Sequence, residues 1–190
     1  IKKENNSKNT ICYTGLISNI WKIENILSAI VRFKDLKFNL AGNGPNDNYN
    51  EKLKSNEGWK KVNNFGIIKH EEVYGKILSQ SNIGIALLDY LPLCKGNVGN
   101  LSNNKLFEYM RAGLPVIVTD FILWKEIIEE NSCGICVNPN NINEIADAIK
   151  YLLDNPKIAK QMGKNGQKIV KEKYNWNMEA KKLINLYKSL

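Results

Sequence analysis

The sequence predicts an α/β fold in which helices cover both faces of a doubly wound, six-stranded parallel sheet. Six short apolar runs alternate with segments whose apolar residues recur at helical spacing. The run at 82–89 is apolar throughout its centre, as is typical of a strand buried on both faces. Parallel strands need crossover connections, and the helical segments between the runs supply them.

The first half of the chain carries four of the six strand patterns. They fall at 10–17, 36–42, 62–66 and 82–89. Between them, helices are predicted at 23–33, near 48–57 and at 70–81. The apolar positions of the first helix share one side of a helical wheel: Ile23, Ile26, Leu27, Ile30 and Val31.

The second half continues the alternation after an irregular segment at 90–103. The predicted elements are a helix at 103–112, a strand at 114–120, a helix at 123–131, a strand at 133–137 and a helix at 141–155. Pro156 suits the first position of a further helix that reaches about 174. A terminal helix is predicted at 175–190.

This fold class also predicts where a ligand binds. In open parallel sheets, ligands lie beyond the carboxyl ends of the strands, where the strand order reverses. That rule selects the loops near Gly15, at 42–45, at 66–69, at 90–104 and near Asp120.

The charge balance favours anionic partners. Lys and Arg number 27 against 19 Asp and Glu, a formal net charge of +8, and such an excess attracts phosphorylated substrates or the inner membrane surface. Aromatic residues are not interleaved with the lysines, so we expect no nucleic-acid partner. No apolar run approaches the roughly 20 residues of a membrane span. The four cysteines are too few and too scattered for a disulfide-stapled small fold, so a cytoplasmic location is expected.

Three other features have a simple structural interpretation. Cys133 and Cys136 have the spacing of half a zinc site, but no second pair accompanies them, and we interpret them as buried thiols. His70 is interpreted as a surface or capping residue. A basic stripe of lysines is interpreted as a solvated face, with peripheral membrane contact as the alternative: Lys160, Lys164, Lys168 and Lys171.

The helix at 103–112 carries the strongest indication of chemistry. Leu106 and Met110 share one face, while Lys105 and Glu108 lie away from it. A helix start binds phosphate readily, because its first N–H groups are unpaired and its dipole favours an anion. Lys105 adds a positive charge, and Glu108 offers acceptor oxygens for sugar hydroxyls. The alternative is a solvated face with a weak Lys105–Glu108 pair.

The same segment, "KLFEYMRAGLPVIVTD", resembles the signature region of family four glycosyltransferases, which are retaining enzymes of the two-domain GT-B fold. Further segments resemble the family in order: "YTGLIS", "LAGNGP", "NFGIIKHEEVYGKILSQSNIGIALL", "SCGICVNPNNINEIADAIKYLL" and "KYNWNMEAKKLINLYKSL". The resemblance covers nearly the whole chain and is to the carboxyl-terminal half only. It implies a Rossmann-like domain, residues 1–190, that binds the nucleotide-sugar donor, with helix 175–190 packing toward a missing amino-terminal acceptor domain.

The resemblance also implies roles for individual residues. Glu108 would hold the ribose hydroxyls, and Lys105 with the backbone of Asn103 and Asn104 would meet the diphosphate. Backbone would approach the donor at Gly15 and in the turn that holds Asn43 and Gly44. Residues Gly66 and Ile67 would border the base.

Two positions depart from the family pattern. The family often has a glutamate eight positions before its helix glutamate, and Asn100 stands there, which loses a charge-assisted bond to the donor sugar. The family commonly has a basic residue after the first strand, but the matching positions in this sequence hold Leu16 and Trp21. Lys22 is then the candidate to help stabilise the diphosphate.

We therefore expect the donor-binding half of a retaining, metal-independent glycosyltransferase that acts in bacterial polysaccharide or glycoconjugate assembly. No cofactor is expected beyond the UDP-, GDP- or ADP-sugar substrate. Alternatives are a non-catalytic nucleotide- or partner-binding module and a sugar-nucleotide epimerase or phosphorylase of similar build. A dinucleotide-dependent dehydrogenase fits less well, because "GNGPND" follows the second strand and lacks a third glycine.

Overall fold

A computed structural model describes residues 9–44 and 47–189 of the chain. Within them, six strands form one parallel sheet. The strands are β1 (Asn9–Thr14), β2 (Leu36–Ala41), β3 (Val62–Gly66), β4 (Ile83–Ala86), β5 (Val116–Thr119) and β6 (Gly134–Val137). Pro45, at the end of the predicted glycine turn, lies outside the described residues.

The α-helices of the described residues fill the connections between these strands and follow the last one. They are α1 (Ile23–Ile30), α2 (Asp47–Ser55), α3 (His70–Lys76), α4 (Asn104–Arg111), α5 (Ile122–Glu130), α6 (Ile142–Asp154), α7 (Pro156–Glu172) and α8 (Trp176–Lys188). Short 3-10 turns at Asn19–Trp21, Leu78–Gln80 and Pro92–Cys94 occupy several of the loops.

The strand order is β3-β2-β1-β4-β5-β6, which confirms the predicted doubly wound sheet. The chain runs outward from β1 to β3, then returns to the centre and continues from β4 to β6. The order therefore reverses between β1 and β4, and the carboxyl ends of these two strands frame the predicted binding position.

Both faces of the central strands β2, β1, β4 and β5 are buried, which explains their nearly continuous apolar character, whereas the edge strand β3 is largely exposed. Along β1, Ile11 and Tyr13 point into the cluster that α1 and α6 cover, and Cys12 points into the cluster on the other face. Trp21 packs against both clusters. The loop after β1 therefore covers the space between them at the carboxyl edge of the sheet.

Two predicted elements are shorter in the structure. β1 ends at Thr14 rather than at 17 because Gly15 turns the chain away with a φ of 128°. α3 ends at Lys76 rather than at 81, and a 3-10 turn over Leu78–Gln80 follows it. The early end of β1 brings a loop to the edge that faces the binding position, whereas α3 ends at the opposite edge, near the amino ends of the strands.

The terminal helix α8 presents apolar side chains to solvent, although it begins with a well-formed cap in which Asn175 accepts a hydrogen bond from Met178 N. More than a third of each of these side chains is exposed: Trp176, Met178, Leu183, Ile184, Leu186 and Tyr187. The helix therefore carries an apolar surface that the described part of the chain leaves uncovered.

Candidate nucleotide-sugar site

A cavity of about 610 Å³ opens at the carboxyl edge of the sheet, where the strand order reverses. Its walls come from the ends of β1, β2 and β4, from the loop after β3 and from the start of α4. Among the predicted site residues, these line it: Gly15, Asn43, Ile67, Asn100, Asn103, Asn104, Lys105 and Glu108. Their roles toward a ligand stay predictions.

Main-chain hydrogen bonds tie the loops after β1, β2 and β3 into one wall. Gly15 N donates to Ala41 O at 2.9 Å, and Ile17 N donates to Asn43 O at 2.8 Å. Gly42 N donates to Gly66 O at 2.8 Å. These bonds keep the three loops at fixed distances from one another, because each joins backbone to backbone.

The wall depends on close backbone packing at Gly42. This residue has a φ of 152°, and a Cβ placed on it would lie 1.7 Å from Gly15 O. A side chain at position 42 therefore collides with the adjacent loop.

The start of α4 forms the opposite wall. Asn103 caps the helix, its Oδ1 accepting a hydrogen bond from Lys105 N at 3.1 Å. The amide nitrogen of Asn103 is buried without a hydrogen-bond partner, and such a donor normally finds an acceptor. Together with the unpaired N–H groups of the first helical turn, it makes this wall suited to an anion.

Lys105 lies along the inner wall, which is the side of the cavity formed by the loop after β1, and its ammonium packs on aromatic rings. Its Nζ is 3.7 Å from the centroid of the Trp21 ring and 5.6 Å from that of Tyr13. A Cβ on Gly15 would lie 2.4 Å from Lys105 Cε, so glycine at position 15 leaves the space that the lysine stem occupies. Burial lowers the pKa of Lys105, and the nearby Glu108 carboxylate opposes that shift.

Glu108 lines the same cavity and points toward His70. Its Oε1 lies 4.0 Å from His70 Nε2, and about a third of its side chain is exposed. His70 is a surface residue as predicted, 82% exposed, but it also lines the cavity, which the sequence interpretation missed. Its place directly after the selected loop at 66–69 was the available signal.

Tyr109 anchors α4 to the central strand. Its buried hydroxyl accepts a hydrogen bond from Thr14 N at 2.8 Å, one residue before the Gly15 turn. The ring rests on Gly84 of β4, where a Cβ would lie 2.5 Å from Tyr109 Cδ2. The sequence interpretation did not single out Tyr109, and periodicity cannot reveal the partner of its hydroxyl.

A Tyr109→Phe variant is expected to lose about 1 to 3 kcal/mol of unfolding free energy, because the Thr14 N–H is left buried without an acceptor. Urea unfolding followed by circular dichroism measures the loss. The matched control is Tyr187→Phe, whose hydroxyl lies on an exposed side chain and whose removal is expected to change stability by less than about 0.5 kcal/mol. Equal stability of the two variants would contradict this role.

Asn100 lies at the cavity but uses its amide within its own loop. Its Oδ1 accepts hydrogen bonds from Ser102 N at 3.2 Å and from Ser102 Oγ at 2.6 Å. Its main-chain oxygen accepts a hydrogen bond from Trp124 Nε1 at 2.7 Å. Asn100 therefore stabilises the loop that leads into α4.

Three predicted binding residues lie outside the cavity. Lys22 is turned away, with its Nζ 2.7 Å from Asp89 Oδ2. Burial acts to raise the pKa of Asp89, but hydrogen bonds from Lys22 and Asn140 outweigh it and lower that pKa. Gly66 contributes its carbonyl to the loop wall, and Gly44 packs against Asn50.

The cysteine pair fits the thiol interpretation. Cys133 is buried, Cys136 is half-buried, and both are free thiols. Burial raises the pKa of Cys133 to about 11 and that of Cys136 to about 12. Across residues 9–44 and 47–189, no group of three or more His, Cys, Asp or Glu side chains is arranged to hold a metal ion.

No helix in the described part of the chain combines the length and the apolar character that crossing a bilayer requires.

The chain is similar to known proteins in both sequence and fold. The family model described as "Glycosyl transferases group 1" matches residues 1–169. An alpha-D-kanosaminyltransferase from Streptomyces kanamyceticus is 27% identical over 185 residues, which is 95% of this chain and 45% of that protein. The chain thus spans about half the length of this curated relative.

Solved structures share the fold. The Anabaena HepE protein in complex with UDP and glucose superposes with a TM-score of 0.81 at 13% identity, covering 96% of this chain and 49% of that one. The C-terminal domain of a glycosyl transferase group 1 family protein from Francisella tularensis superposes with a TM-score of 0.70 at 19% identity, covering 89% and 87%.

Proposed function

The chain belongs to the glycosyl transferases group 1 family, and from this premise we propose that it is the donor-binding half of a glycosyltransferase. In this proposal the cavity holds a nucleoside-diphosphate sugar, and the whole enzyme transfers the sugar to a hydroxyl group of an acceptor. The observation that carries the proposal is that Lys105 and Glu108, both from the start of one helix, line the same cavity, with Lys105 against Trp21 and Glu108 near His70.

The two charges match the two ends of a nucleoside diphosphate. The diphosphate lies at the start of α4, where Lys105, the first-turn N–H groups and the unpartnered Asn103 amide offer positive charge and donors. The Glu108 carboxylate accepts hydrogen bonds from the ribose hydroxyls. Ile67, which is 75% exposed at the rim of the cavity, borders the base.

Transfer requires the nucleoside diphosphate to leave with a developing negative charge. Preorganised donors and cations aimed at that charge lower the barrier most in a site shielded from water. Lys105 and the helix start supply them, so the proposed reaction needs no metal ion. Retention of configuration at the transferred carbon is the part of the proposal that rests on the family resemblance alone.

A second α/β half completes the proposed enzyme and binds the acceptor. The chain spans 45% of the Streptomyces relative and 49% of the Anabaena protein, and the Francisella structure is itself a C-terminal domain. The exposed apolar face of α8 is the surface proposed to pack against that half. Cytoplasmic action on a surface polysaccharide or lipid-linked acceptor, with peripheral membrane contact, belongs to the same proposal.

Calorimetric titration with UDP, GDP and ADP tests the donor site. At least one nucleotide is expected to bind with a Kd below about 1 mM, equivalent to roughly 4 kcal/mol, and EDTA should leave the affinity unchanged. A Lys105→Met variant should weaken it about tenfold or more, as the loss of a charged hydrogen bond implies.

The matched control is Lys164→Met on the exposed side of α7, which should bind as the wild type does. Absence of binding to all three nucleotides would contradict the donor site. Such a result would favour a non-catalytic module. The pairing of Lys22 with Asp89 is consistent with that alternative, because it removes a basic residue from the proposed site.

A further inference from the structure

Lys105 and Glu108 lie one helical turn apart, and such residues ordinarily face each other. Oppositely charged side chains at this spacing attract and form weak ion pairs. Within the described residues no ion pair joins these two side chains, and Glu108 Oε1 instead lies 4.0 Å from His70 Nε2. Something holds the two charges apart, because their positions on the helix alone would bring them together.

Trp21 is the group that the Lys105 ammonium contacts. The ammonium lies 3.7 Å from the centroid of the indole ring, well within the distance at which a ring face attracts a cation. The indole is itself fixed, because it packs against both core clusters and lies 6.1 Å from the Tyr13 ring at an angle of 57°. The lysine stem runs past Gly15, where no side chain blocks it.

We propose that Trp21 is a positioning residue, which draws the Lys105 ammonium away from Glu108 so that each charge stays available to its own part of the donor. The inference rests on the proposed nucleotide-sugar site. In it, the ring face holds the cation against the inner wall for the diphosphate. Glu108, with His70 beside it, stays on the outer side for hydroxyl groups.

Without the ring face, Lys105 would swing back along the helix and pair with Glu108. That pair would neutralise both binding groups, so affinity for a nucleoside diphosphate would fall. Trp21, like Leu16, stands at a position where the family resemblance implies a basic residue, and in this proposal it contributes through the lysine that it holds rather than through a charge of its own.

The contact itself is measured by NMR of the 190-residue chain without nucleotide. Aromatic ring current should shift the Lys105 ε-methylene protons upfield in the wild type, relative to those of Lys164. The shift should disappear in Trp21→Leu and persist in Trp21→Phe, which keeps a ring face. An unshifted Lys105 in the wild type would overturn the proposal, whether or not nucleotide binds.

Binding of UDP, GDP or ADP then measures the consequence. Trp21→Leu is expected to weaken the best-bound nucleotide about tenfold, within the range that a partly desolvated cation–π contact supports, and Trp21→Phe should restore most of the affinity. Affinity for the corresponding nucleoside, which lacks the phosphates but keeps the ribose hydroxyls assigned to Glu108, should fall by a smaller factor than affinity for the nucleotide.

A double-mutant cycle separates positioning from a structural effect. In a Lys105→Met background, Trp21→Leu should cost no further affinity if Trp21 acts through the lysine. A full additional loss in that background would overturn the inference. Wild-type binding with an unaffected Trp21→Leu variant would overturn it too while leaving the proposed function standing, whereas a wild type that binds no nucleotide contradicts the proposed function.

Discussion

A Glu108→Gln variant is expected to lose about 10- to 150-fold in affinity for its best nucleotide, because hydrogen bonds to a charged group contribute roughly 1.5 to 3 kcal/mol. Glutamine keeps the length of the side chain and one acceptor oxygen, so the loss reports the carboxylate charge. Glu108 is partly exposed at the cavity and separate from the buried face of α4, so the fold should survive the change.

Calorimetry with the best nucleotide and with its 2′,3′-dideoxyribose analogue identifies what Glu108 holds. The wild type should bind the analogue weakly, and Glu108→Gln should bind both ligands with nearly equal affinity. Glu130→Gln, at an exposed position in the last turn of α5, is the matched control and should behave as the wild type. Equal discrimination by wild type and Glu108→Gln would rule out contact with the ribose hydroxyls.

A Gly42→Ala variant is expected to lose about 3 to 5 kcal/mol of unfolding free energy, since backbone strain and overpacking each cost roughly 1 to 3 kcal/mol. The added methyl group would lie 1.7 Å from the carbonyl oxygen of Gly15. That oxygen belongs to backbone held by the hydrogen bond from Gly15 N to Ala41 O, so it cannot move aside without breaking the loop wall.

Urea unfolding compares this variant with Gly96→Ala. Gly96 has a φ of 64°, but nothing lies within 4 Å of a Cβ placed there. Its substitution should therefore cost only the conformational strain of about 1 to 2 kcal/mol. If both variants lost the same unfolding free energy, the collision with Gly15 would not contribute to the loss in Gly42→Ala.

The fold class was predictable because it depends on periodicity. Strands buried on both faces and helices with one apolar stripe leave separate patterns in the sequence, and their alternation predicted the parallel sheet that the structure confirms. Element ends were less predictable. β1 stops early because Gly15 adopts a positive φ, and a glycine in an apolar run signals several conformations equally well.

The position of the site was predictable to the level of loops and one helix. The position of Lys105 and Glu108 beyond the core face of α4 predicted that they border a crevice, and both line the cavity. Their different neighbours could not be predicted from the sequence, because Trp21 and His70 reach the helix through space from other parts of the chain.

Lys22 shows that a residue's position along the sequence does not by itself place its side chain in a binding site. It follows the loop after β1 directly, but its backbone adopts a φ of 49° and its side chain reaches Asp89 after β4. A basic residue in the expected stretch of chain is thus turned away by a carboxylate from another strand. Such a pairing depends on strand order, which hydrophobic periodicity does not encode.

The loop wall of the cavity has an evolutionary consequence. Since main-chain groups join the three loops, the shape of the wall does not depend on the side chains at its rim. Leu16, Asn43 and Ile67 are exposed there and can diverge while the scaffold persists. Under the proposed function, selectivity among related donors can therefore drift at these three positions without loss of the loop wall.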